Sequence, residues 1–114
     1  MSSNVPRSAL TSKDVRMVSP ALENYTREFI ENELWKRPAL SPRDRSIVTV
    51  AALIARMQTV GMLHYFDRAL DSGVTPRELS EIITHLAFYS GWFNAFSAIP
   101  IAKDIFVQRG IGED

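Results

Sequence analysis

GVTPRELSEIITHLAFYSGWFNA, from Gly73 to Ala95, contains the clearest fold signal in the sequence. Thr75 is a preferred N-cap residue, Pro76 fits the first helical position, and Glu78 completes a T-x-x-E capping box. The apolar positions that follow recur at the spacing of one helix face, and they are Leu79, Ile82, Ile83 and Leu86. This pattern predicts a helix over residues 76 to 89 or 90 that buries one face in a core.

The same start signal, a hydroxyl residue before a proline, occurs twice more, at Ser19-Pro20 and Ser41-Pro42. Together with the apolar spacing along the chain, these signals predict four further helices. They run from about Pro20 to Leu34, Pro42 to Met57, Met62 to Asp71, and Phe93 to Gln108. We expect Pro100 to kink or interrupt the last helix, because proline lacks a backbone N–H and clashes with the preceding turn.

The residues from Ile47 to Ala55 are apolar on nearly every side of a helix, which is typical of a helix inside a core or between subunits. The β-branched residues at its start would also fit a strand. The cap at Ser41 and the alanine-rich continuation favour the helix. No convincing strand pattern remains elsewhere, so we predict an all-α protein. It comprises a compact domain of five to six helices over residues 19–114, preceded by a loose arm over residues 1–18.

The composition excludes several classes of function. With 114 residues, 46% of them hydrophobic and 23% charged, the chain has the profile of one globular domain. Its 13 Lys and Arg balance its 13 Asp and Glu, so we expect neither nucleic acid nor a membrane as a partner. The absence of cysteine excludes disulfides, thiolate metal sites and cysteine nucleophiles. The N-terminus lacks a signal-peptide core, and the apolar run at residues 47–55 is too short to span a bilayer, so we expect a cytoplasmic protein.

The predicted helix after Pro76 also carries a stripe of polar and titratable residues, about 100° from its apolar stripe. Within this stripe, Glu81 and His85 are four residues apart and can pair across one turn, and a carboxylate stabilises a protonated imidazole. Tyr89 lies one turn further on. At the edge of an apolar surface this group could act as an acid or a base. The alternative is a surface ion pair beside a buried tyrosine.

The only other histidine, His64, lies on the polar side of the predicted third helix, where a solvated surface is the simpler interpretation. Tyr65 lies nearer the apolar stripe and is a better candidate for a site. Arg45, in the first turns of the second helix, could bind a substrate carboxylate, because a guanidinium pairs with a carboxylate through two hydrogen bonds. The sequence contains neither a metal-ligand motif nor a glycine-rich phosphate loop, so we predict no metal and no cofactor.

Several segments resemble the carboxymuconolactone decarboxylase family. They are LWKRP from Leu34 to Pro38, LSPRDRSIVTVAALIA from Leu40 to Ala55, RALDSGVTP from Arg68 to Pro76, and ITHLAFYSGW from Ile83 to Trp92. The resemblance covers most of residues 20–107 and implies an all-α fold that assembles into trimers or hexamers, with helix faces buried between subunits. It also implies one of two activities. One is cofactor-independent decarboxylation of 4-carboxymuconolactone in aromatic-acid breakdown, and the other is the thiol redox chemistry of alkyl hydroperoxide reductase accessory proteins.

The thiol activity requires the C-x-x-C motif of that branch. Two registers of alignment place the cysteine positions at Gln58 and Gly61 or one residue earlier, and neither register supplies a thiolate. The sequence therefore excludes thiol redox chemistry. The same two registers place the family's frequent histidine at Tyr65 or at His64.

The resemblance leaves a decarboxylase of 4-carboxymuconolactone or of a related small carboxylated lactone or keto acid. Its candidate catalytic residues are His85, Tyr65 and Tyr89, and its candidate substrate-binding residues are Arg45, Glu81 and His64. A histidine could deliver a proton or stabilise an oxyanion, and a tyrosine could donate a hydrogen bond to that oxyanion. The alternative is a non-catalytic oligomeric scaffold of the same fold, or a partner of another enzyme.

Overall fold

The computed structural model describes residues 10–112, and within that range the chain forms helices and no β-strand. Its α-helices are α1 (Ser12–Val18), α2 (Pro20–Tyr25), α3 (Pro42–Ala55), α4 (Thr59–Asp71), α5 (Pro76–Ser90) and α6 (Trp92–Gln108). A π-helical segment, Thr26–Glu31, continues α2, and a short 3-10 turn, Leu34–Lys36, precedes α3. The predicted all-α class is confirmed.

The core lies among α3, α4, α5 and α6, with α6 in contact with each of the other three. Side chains with no exposed surface come from α3 (Val50 and Ile54), α4 (Met62 and Phe66), α5 (Leu79) and α6 (Ala98). Helices α1 and α2 contact each other beside this core, and α1 itself contributes no buried residue. The N-terminal helices therefore form a separate layer against the side of the bundle.

The turn from α4 to α5 forms as its sequence predicts. Thr75 Oγ1 accepts a hydrogen bond from the backbone N–H of Glu78 at 3.0 Å, and the Glu78 carboxylate accepts one from the backbone N–H of Thr75 at 2.9 Å. Gly73, just before this capping box, has a φ of +105°, which residues with a Cβ rarely adopt. Local chemistry thus determines where α5 begins.

Helix α1 lies within the arm that the sequence predicts over residues 1–18, and that prediction missed it. Thr11 caps the helix, since its hydroxyl accepts a hydrogen bond from the backbone N–H of Asp14 at 3.2 Å. Ser12 Oγ then donates to the Glu23 carboxylate at 2.8 Å, which joins α1 to α2. Residues 1–9 of the predicted arm lie outside the described range.

The helix predicted from Pro20 to Leu34 changes geometry in its second turn. Thr26 Oγ1 donates to the carbonyl of Leu22 at 2.8 Å, a side-chain bond that competes with the helix ladder. The backbone N–H of Asn32 then bonds to Arg27 O at 3.0 Å, which is the five-residue spacing of a π-helix. Thr49 makes the same kind of bond to Arg45 O at 2.8 Å inside α3, which stays α-helical, so this bond accompanies the change in α2 and does not explain it alone.

Two further features of the helices differ from the predictions. Helix α4 begins at Thr59 and not at Met62, and α6 runs through Pro100 without interruption. The proline removes one backbone donor, but buried residues on both sides of it, Ala98 and Ala102, keep the helix packed. None of the helices within residues 10–112 combines the length and the apolar composition needed to cross a lipid bilayer.

Candidate functional site

A cavity of about 400 Å³ lies between the N-terminal helices and α4. This volume falls in the range of small-molecule sites. Leu10, Val15, Val60 and Gly61 form its apolar wall, and its polar wall includes Ser12, Glu23, Arg27, Glu31, His64 and Tyr65. Two of the six residues predicted for the site, His64 and Tyr65, therefore come together at one cavity.

Tyr65 is half-buried at the edge of this cavity, where its ring stacks on that of Trp35 with the centroids 5.8 Å apart. Burial raises the pKa of the phenol above its ordinary value, and the Glu31 carboxylate raises that pKa further, while Arg68 lowers it. The phenol is therefore protonated at neutral pH and can donate a hydrogen bond to an anion.

His64 precedes Tyr65 on α4, and the two rings meet edge to face, with centroids 4.7 Å apart and planes at 81°. The imidazole lines the cavity and is also exposed to solvent. An imidazole in this position can exchange protons with water and deliver them to a bound molecule. The pair thus combines a hydrogen-bond donor with a source of protons.

Glu23 is buried at the same cavity, where its carboxylate accepts hydrogen bonds from Ser12 Oγ and Arg27 Nη1, each at 2.8 Å. The Ser12 hydrogen bond is the strongest influence and lowers the pKa of Glu23, and Arg27 lowers it further, while burial acts in the opposite direction. The carboxylate is therefore ionised at neutral pH, and Arg27 balances its charge.

A second ion pair lies behind Tyr65. Arg68 Nη1 donates to both carboxylate oxygens of Glu31, at 2.9 and 3.1 Å, and the guanidinium carbon of Arg68 lies 3.9 Å from the centroid of the Trp35 ring. This is the geometry of a cation–π interaction. Both carboxylates of the cavity wall, Glu23 and Glu31, thus have an arginine partner. No group of three His, Asp or Glu side chains within residues 10–112 is arranged to hold a metal ion.

The other predicted catalytic residues, His85 and Tyr89, lie on the outer face of α5 and do not line this cavity. Their rings stack with centroids 4.7 Å apart. Tyr89 is 78% exposed, so the alternative that treats it as a buried tyrosine is wrong. Within the described residues, Glu81 forms no hydrogen bond or ion pair with His85, so the expected pair across one turn does not form there.

Arg45 lies apart from the cavity residues and from the His85–Tyr89 pair. Its Nη2 donates to the backbone carbonyls of Arg37 at 3.1 Å and Leu40 at 3.4 Å, which fastens the connection before α3. Its Nε–H is buried and has no hydrogen-bond partner within the described residues, and Arg45 is absent from the lining of the cavity. In the described structure Arg45 therefore holds the chain and does not face the cavity.

One surface of the protein is unusually rich in exposed aromatic rings. It lies where α5 meets α6, and it comprises Phe88, Tyr89, Trp92, Phe93 and Phe96, all more than half exposed. We call these residues the aromatic surface. A more open groove of about 910 Å³ between α5 and α6 lies near Arg77 and Lys103 and contains none of the predicted site residues.

The sequence interpretation missed most of the polar cavity wall. Glu23 and Arg27 are four residues apart on successive helical turns, a spacing that could have indicated a pair. Glu31 and Arg68 are 37 residues apart, and nothing in the local pattern connects them. Trp35 is buried, and its ring stacks on that of Tyr65.

The fold and this cavity define a class: a small all-α protein with a ligand-sized cavity beside a His–Tyr pair. Residues 20–104 match the sequence profile of the carboxymuconolactone decarboxylase family, and the chain belongs to this family.

Two curated relatives are similar to the chain. The 4-carboxymuconolactone decarboxylase of Acinetobacter baylyi is 32% identical over 92 residues, which cover 81% of this chain and 69% of that protein. The nitrosuccinic acid decarboxylase of Metarhizium robertsii is 26% identical over 76 residues, which cover 67% of this chain and 53% of that protein. The chain thus spans about half the length of the second relative.

Proposed function

We propose that the protein is a cytoplasmic decarboxylase of a small carboxylated lactone or a related small acid in aromatic-compound catabolism. Family membership supports this proposal, and both similar relatives are named as decarboxylases. Their names specify a carboxylated lactone and a nitro-substituted succinic acid. In both molecules an oxygen-bearing group, the lactone carbonyl or the nitro group, can accept the electron pair that the departing CO₂ leaves behind. A substrate of this kind needs no cofactor as an electron acceptor.

The chemistry requires two protein groups. Loss of CO₂ breaks a carbon–carbon bond, and its electron pair stays on the substrate as an extended enolate or an equivalent anion. The site must stabilise the negative oxygen and then deliver a proton to carbon. The observation that carries our assignment is the adjacent pair of rings at the cavity. We assign the hydrogen bond to the substrate oxygen to Tyr65 and the proton delivery to His64.

Arg27 is the cation that fits a retained substrate carboxylate. Its Nη1 bonds to Glu23 and its Nη2 to Asn24, but a guanidinium has five N–H donors and this side chain is half exposed. Donors therefore remain for an anion in the cavity. Glu23 keeps the guanidinium in place and offsets its charge, which limits how strongly the site stabilises the carboxylate that must leave.

We also propose that the protein is a homo-oligomer, a trimer or a hexamer, in which a second copy covers the aromatic surface. Exposed aromatic rings in one contiguous patch are typical of interaction sites and are uncommon on isolated monomers. Phe93 is 75% exposed in the single chain, and burying such a ring favours association. His85 and Tyr89 lie at this surface and would then face a neighbouring subunit.

A second function remains a candidate because the predicted site residues do not meet in one place. His64 and Tyr65 line the cavity, His85 and Tyr89 lie on the outer face of α5, and Arg45 bonds to backbone carbonyls. This dispersal favours a non-catalytic oligomeric scaffold of the same fold. The two functions differ in whether the cavity binds a small acid.

A ligand screen followed by a product assay tests the proposal. Carboxylated lactones, keto acids and nitro-substituted dicarboxylic acids would be screened for an increase in the melting temperature of the protein. CO₂ release would then be measured for each compound that binds, with a chelator present and no cofactor added. We expect at least one compound to stabilise the protein and to lose CO₂. Stabilisation by none of these acids would favour the scaffold.

A further inference from the structure

Trp35 is the only buried residue in the connection between the π-helical segment and α3, residues 32–41. It is 7% exposed, whereas Leu34 and Lys36 on either side of it are exposed. A large aromatic side chain buried alone in a short irregular segment fixes that segment to the structure behind it. The role of Trp35 therefore depends on the residues that its indole contacts.

The indole contacts two residues of α4 that are three positions apart and so lie on the same side of that helix. Its ring stacks on Tyr65 at an interplanar angle of 20°, with centroids 5.8 Å apart. The guanidinium of Arg68 lies over the indole at 3.9 Å. Trp35 thus bridges the cavity phenol and a cation that does not line the cavity.

Arg68 is in turn held by Glu31, at the end of the π-helical segment, through bonds of 2.9 and 3.1 Å. Three separate parts of the chain, the π-helical segment, the 3-10 turn and α4, therefore meet behind Tyr65. Glu31 and Tyr65 both line the cavity, whereas Trp35 and Arg68 connect them from behind the cavity wall. Movement of any one member would disturb the ring that faces a ligand.

We propose that Trp35 is a positioning residue for Tyr65: the indole, held by the Glu31–Arg68 ion pair, fixes the phenol in the cavity wall and shields its ring from water. The catalytic role of this arrangement rests on the proposed function. The orientation and the environment of the Tyr65 phenol can be measured without any substrate.

Simple core packing is the competing explanation. Variants of Trp35 separate the two explanations, and variants of Glu31 and Arg68 test the arrangement of charges around the phenol. If Trp35 only adds buried area, its removal lowers stability and leaves the folded environment of Tyr65 unchanged. If the arrangement is as proposed, Glu31 and Arg68 act on the phenol with opposite signs, because the carboxylate raises its pKa and the guanidinium lowers it. General loosening of the fold cannot produce shifts in opposite directions.

The chain is well suited to this measurement because it contains three tyrosines, of which Tyr25 and Tyr89 are more than half exposed. A Tyr25→Phe, Tyr89→Phe background leaves Tyr65 as the single phenol, and this background serves only the optical experiment. Ionisation would be followed by ultraviolet absorbance of the phenolate as pH rises, with far-ultraviolet circular dichroism confirming helix content at each pH.

In this background we expect Glu31→Gln to lower the ionisation midpoint of Tyr65 and Arg68→Gln to raise it. Trp35→Leu should lower the midpoint because water reaches the ring, and Trp35→Phe should keep it near the parent value because an aromatic ring remains. Arg43→Gln, which breaks a distant ion pair with Glu78, is the matched control and should cause no shift. The proposal is overturned if Trp35→Leu leaves the midpoint unchanged, or if Glu31→Gln and Arg68→Gln shift it in the same direction.

Kinetics on a substrate found in the screen separate this inference from the proposed function. In the otherwise native chain, Trp35→Leu should lower kcat about 10-fold to 100-fold with little change in KM, because a misplaced donor weakens the transition state more than binding. Trp35→Phe should restore most of kcat. An unchanged kcat in Trp35→Leu overturns the positioning role while the decarboxylase stands. If the optical shifts occur and no tested acid loses CO₂, the decarboxylase fails while the arrangement around Tyr65 stands.

Discussion

The rings of His85 and Tyr89 stack with centroids 4.7 Å apart, one turn apart on α5, and both side chains are exposed. The chain has a second His–Tyr pair, His64 and Tyr65, at the same centroid distance but in the wall of a cavity. The two pairs have similar chemistry and different surroundings. Which pair supports catalysis is therefore a question of where a substrate can bind, and mutation can answer it.

We expect His64 and Tyr65, the pair in the cavity wall, to support catalysis. His64→Ala should lower the kcat of decarboxylation by about 100-fold or more, because a positioned proton donor contributes that much. Tyr65→Phe should also lower kcat, through loss of the hydrogen bond to the oxyanion, while Tyr25→Phe removes an exposed phenol elsewhere and is the matched control. Loss of activity in His85→Ala with full activity in His64→Ala would contradict the assignment and move the site to the outer face of α5.

If copies of the chain associate through the aromatic surface, one charge placed in that surface should weaken the association. Phe93→Glu places a carboxylate in the middle of the surface, where burial against a second copy would desolvate it. We expect this variant to shift to a smaller species in sedimentation velocity, with unchanged circular dichroism. Phe29→Glu alters a comparably exposed ring on the π-helical segment and should leave the assembly intact. An unchanged sedimentation profile for Phe93→Glu would show that other surfaces hold the subunits.

Asn94 on α6 caps the end of α3 from a distance. Its Nδ2 donates to the carbonyl of Ala55 at 2.8 Å, with a longer contact to Ile54 O at 3.4 Å. Asn94→Ala should lower the free energy of unfolding by about 1 kcal/mol, the usual net value of one such hydrogen bond. Asn94→Asp should cost more, since it adds a negative charge at a helix C-terminus. Urea unfolding would measure both, and Asn32→Ala, an exposed asparagine, should have little effect.

Ser46 is fully buried in α3, and within the described residues its hydroxyl has no hydrogen-bond partner. A buried unsatisfied hydroxyl costs about 1–3 kcal/mol, so Ser46→Ala should raise the free energy of unfolding by about 1 kcal/mol. Ser80→Ala, on the exposed side of α5, gains only helix propensity, about 0.5 kcal/mol, and is the matched control. If Ser46→Ala proves less stable than the parent in the same urea titration, the hydroxyl has a partner.

The Glu23 carboxylate should make the N-terminal layer sensitive to acid. Its pKa in the folded protein lies below the ordinary value of 4.5, chiefly because Ser12 donates to it and because Arg27 lies beside it. A lowered folded pKa stabilises the fold at any pH above the unfolded value, and this contribution is lost as pH falls through the folded pKa. We therefore expect the melting temperature of the native chain to fall below about pH 4.5 more steeply than that of Glu23→Gln.

The control for this prediction is Glu33→Gln, which removes an exposed carboxylate beyond the π-helical segment. Its melting temperature should follow that of the native chain across the acid range. Proteolysis after Lys13 or Arg16 would report on α1 directly, because Ser12 joins this helix to Glu23. Equal acid sensitivity in the native chain and Glu23→Gln would show that this carboxylate does not hold the N-terminal layer.

Much of the fold was predictable because its signals are local. The capping box at Thr75 and Glu78 joins residues three positions apart, and so does the bond from the Asp44 backbone to Ser41 Oγ at the start of α3. The early end of α2 was not predictable from apolar spacing, which does not distinguish the four-residue hydrogen bonds of an α-helix from the five-residue bond between Asn32 and Arg27. The candidate site was predicted only in part: the predicted residues include His64 and Tyr65, but not Glu23, Arg27 or Trp35.

The sequence by itself determined the helical class, the starts of α3 and α5, the family, and the absence of thiol chemistry. Helix caps and helix periodicity involve residues only a few positions apart, and the absence of cysteine is a matter of composition alone. The tertiary structure decided which candidates share a cavity. Glu31 and Arg68 are 37 residues apart, and α4 must pack beside the π-helical segment before their charges can meet behind Tyr65. Long-range packing therefore placed Tyr65 in a cavity wall and Tyr89 on an exposed surface, although each tyrosine has a histidine within one helical turn.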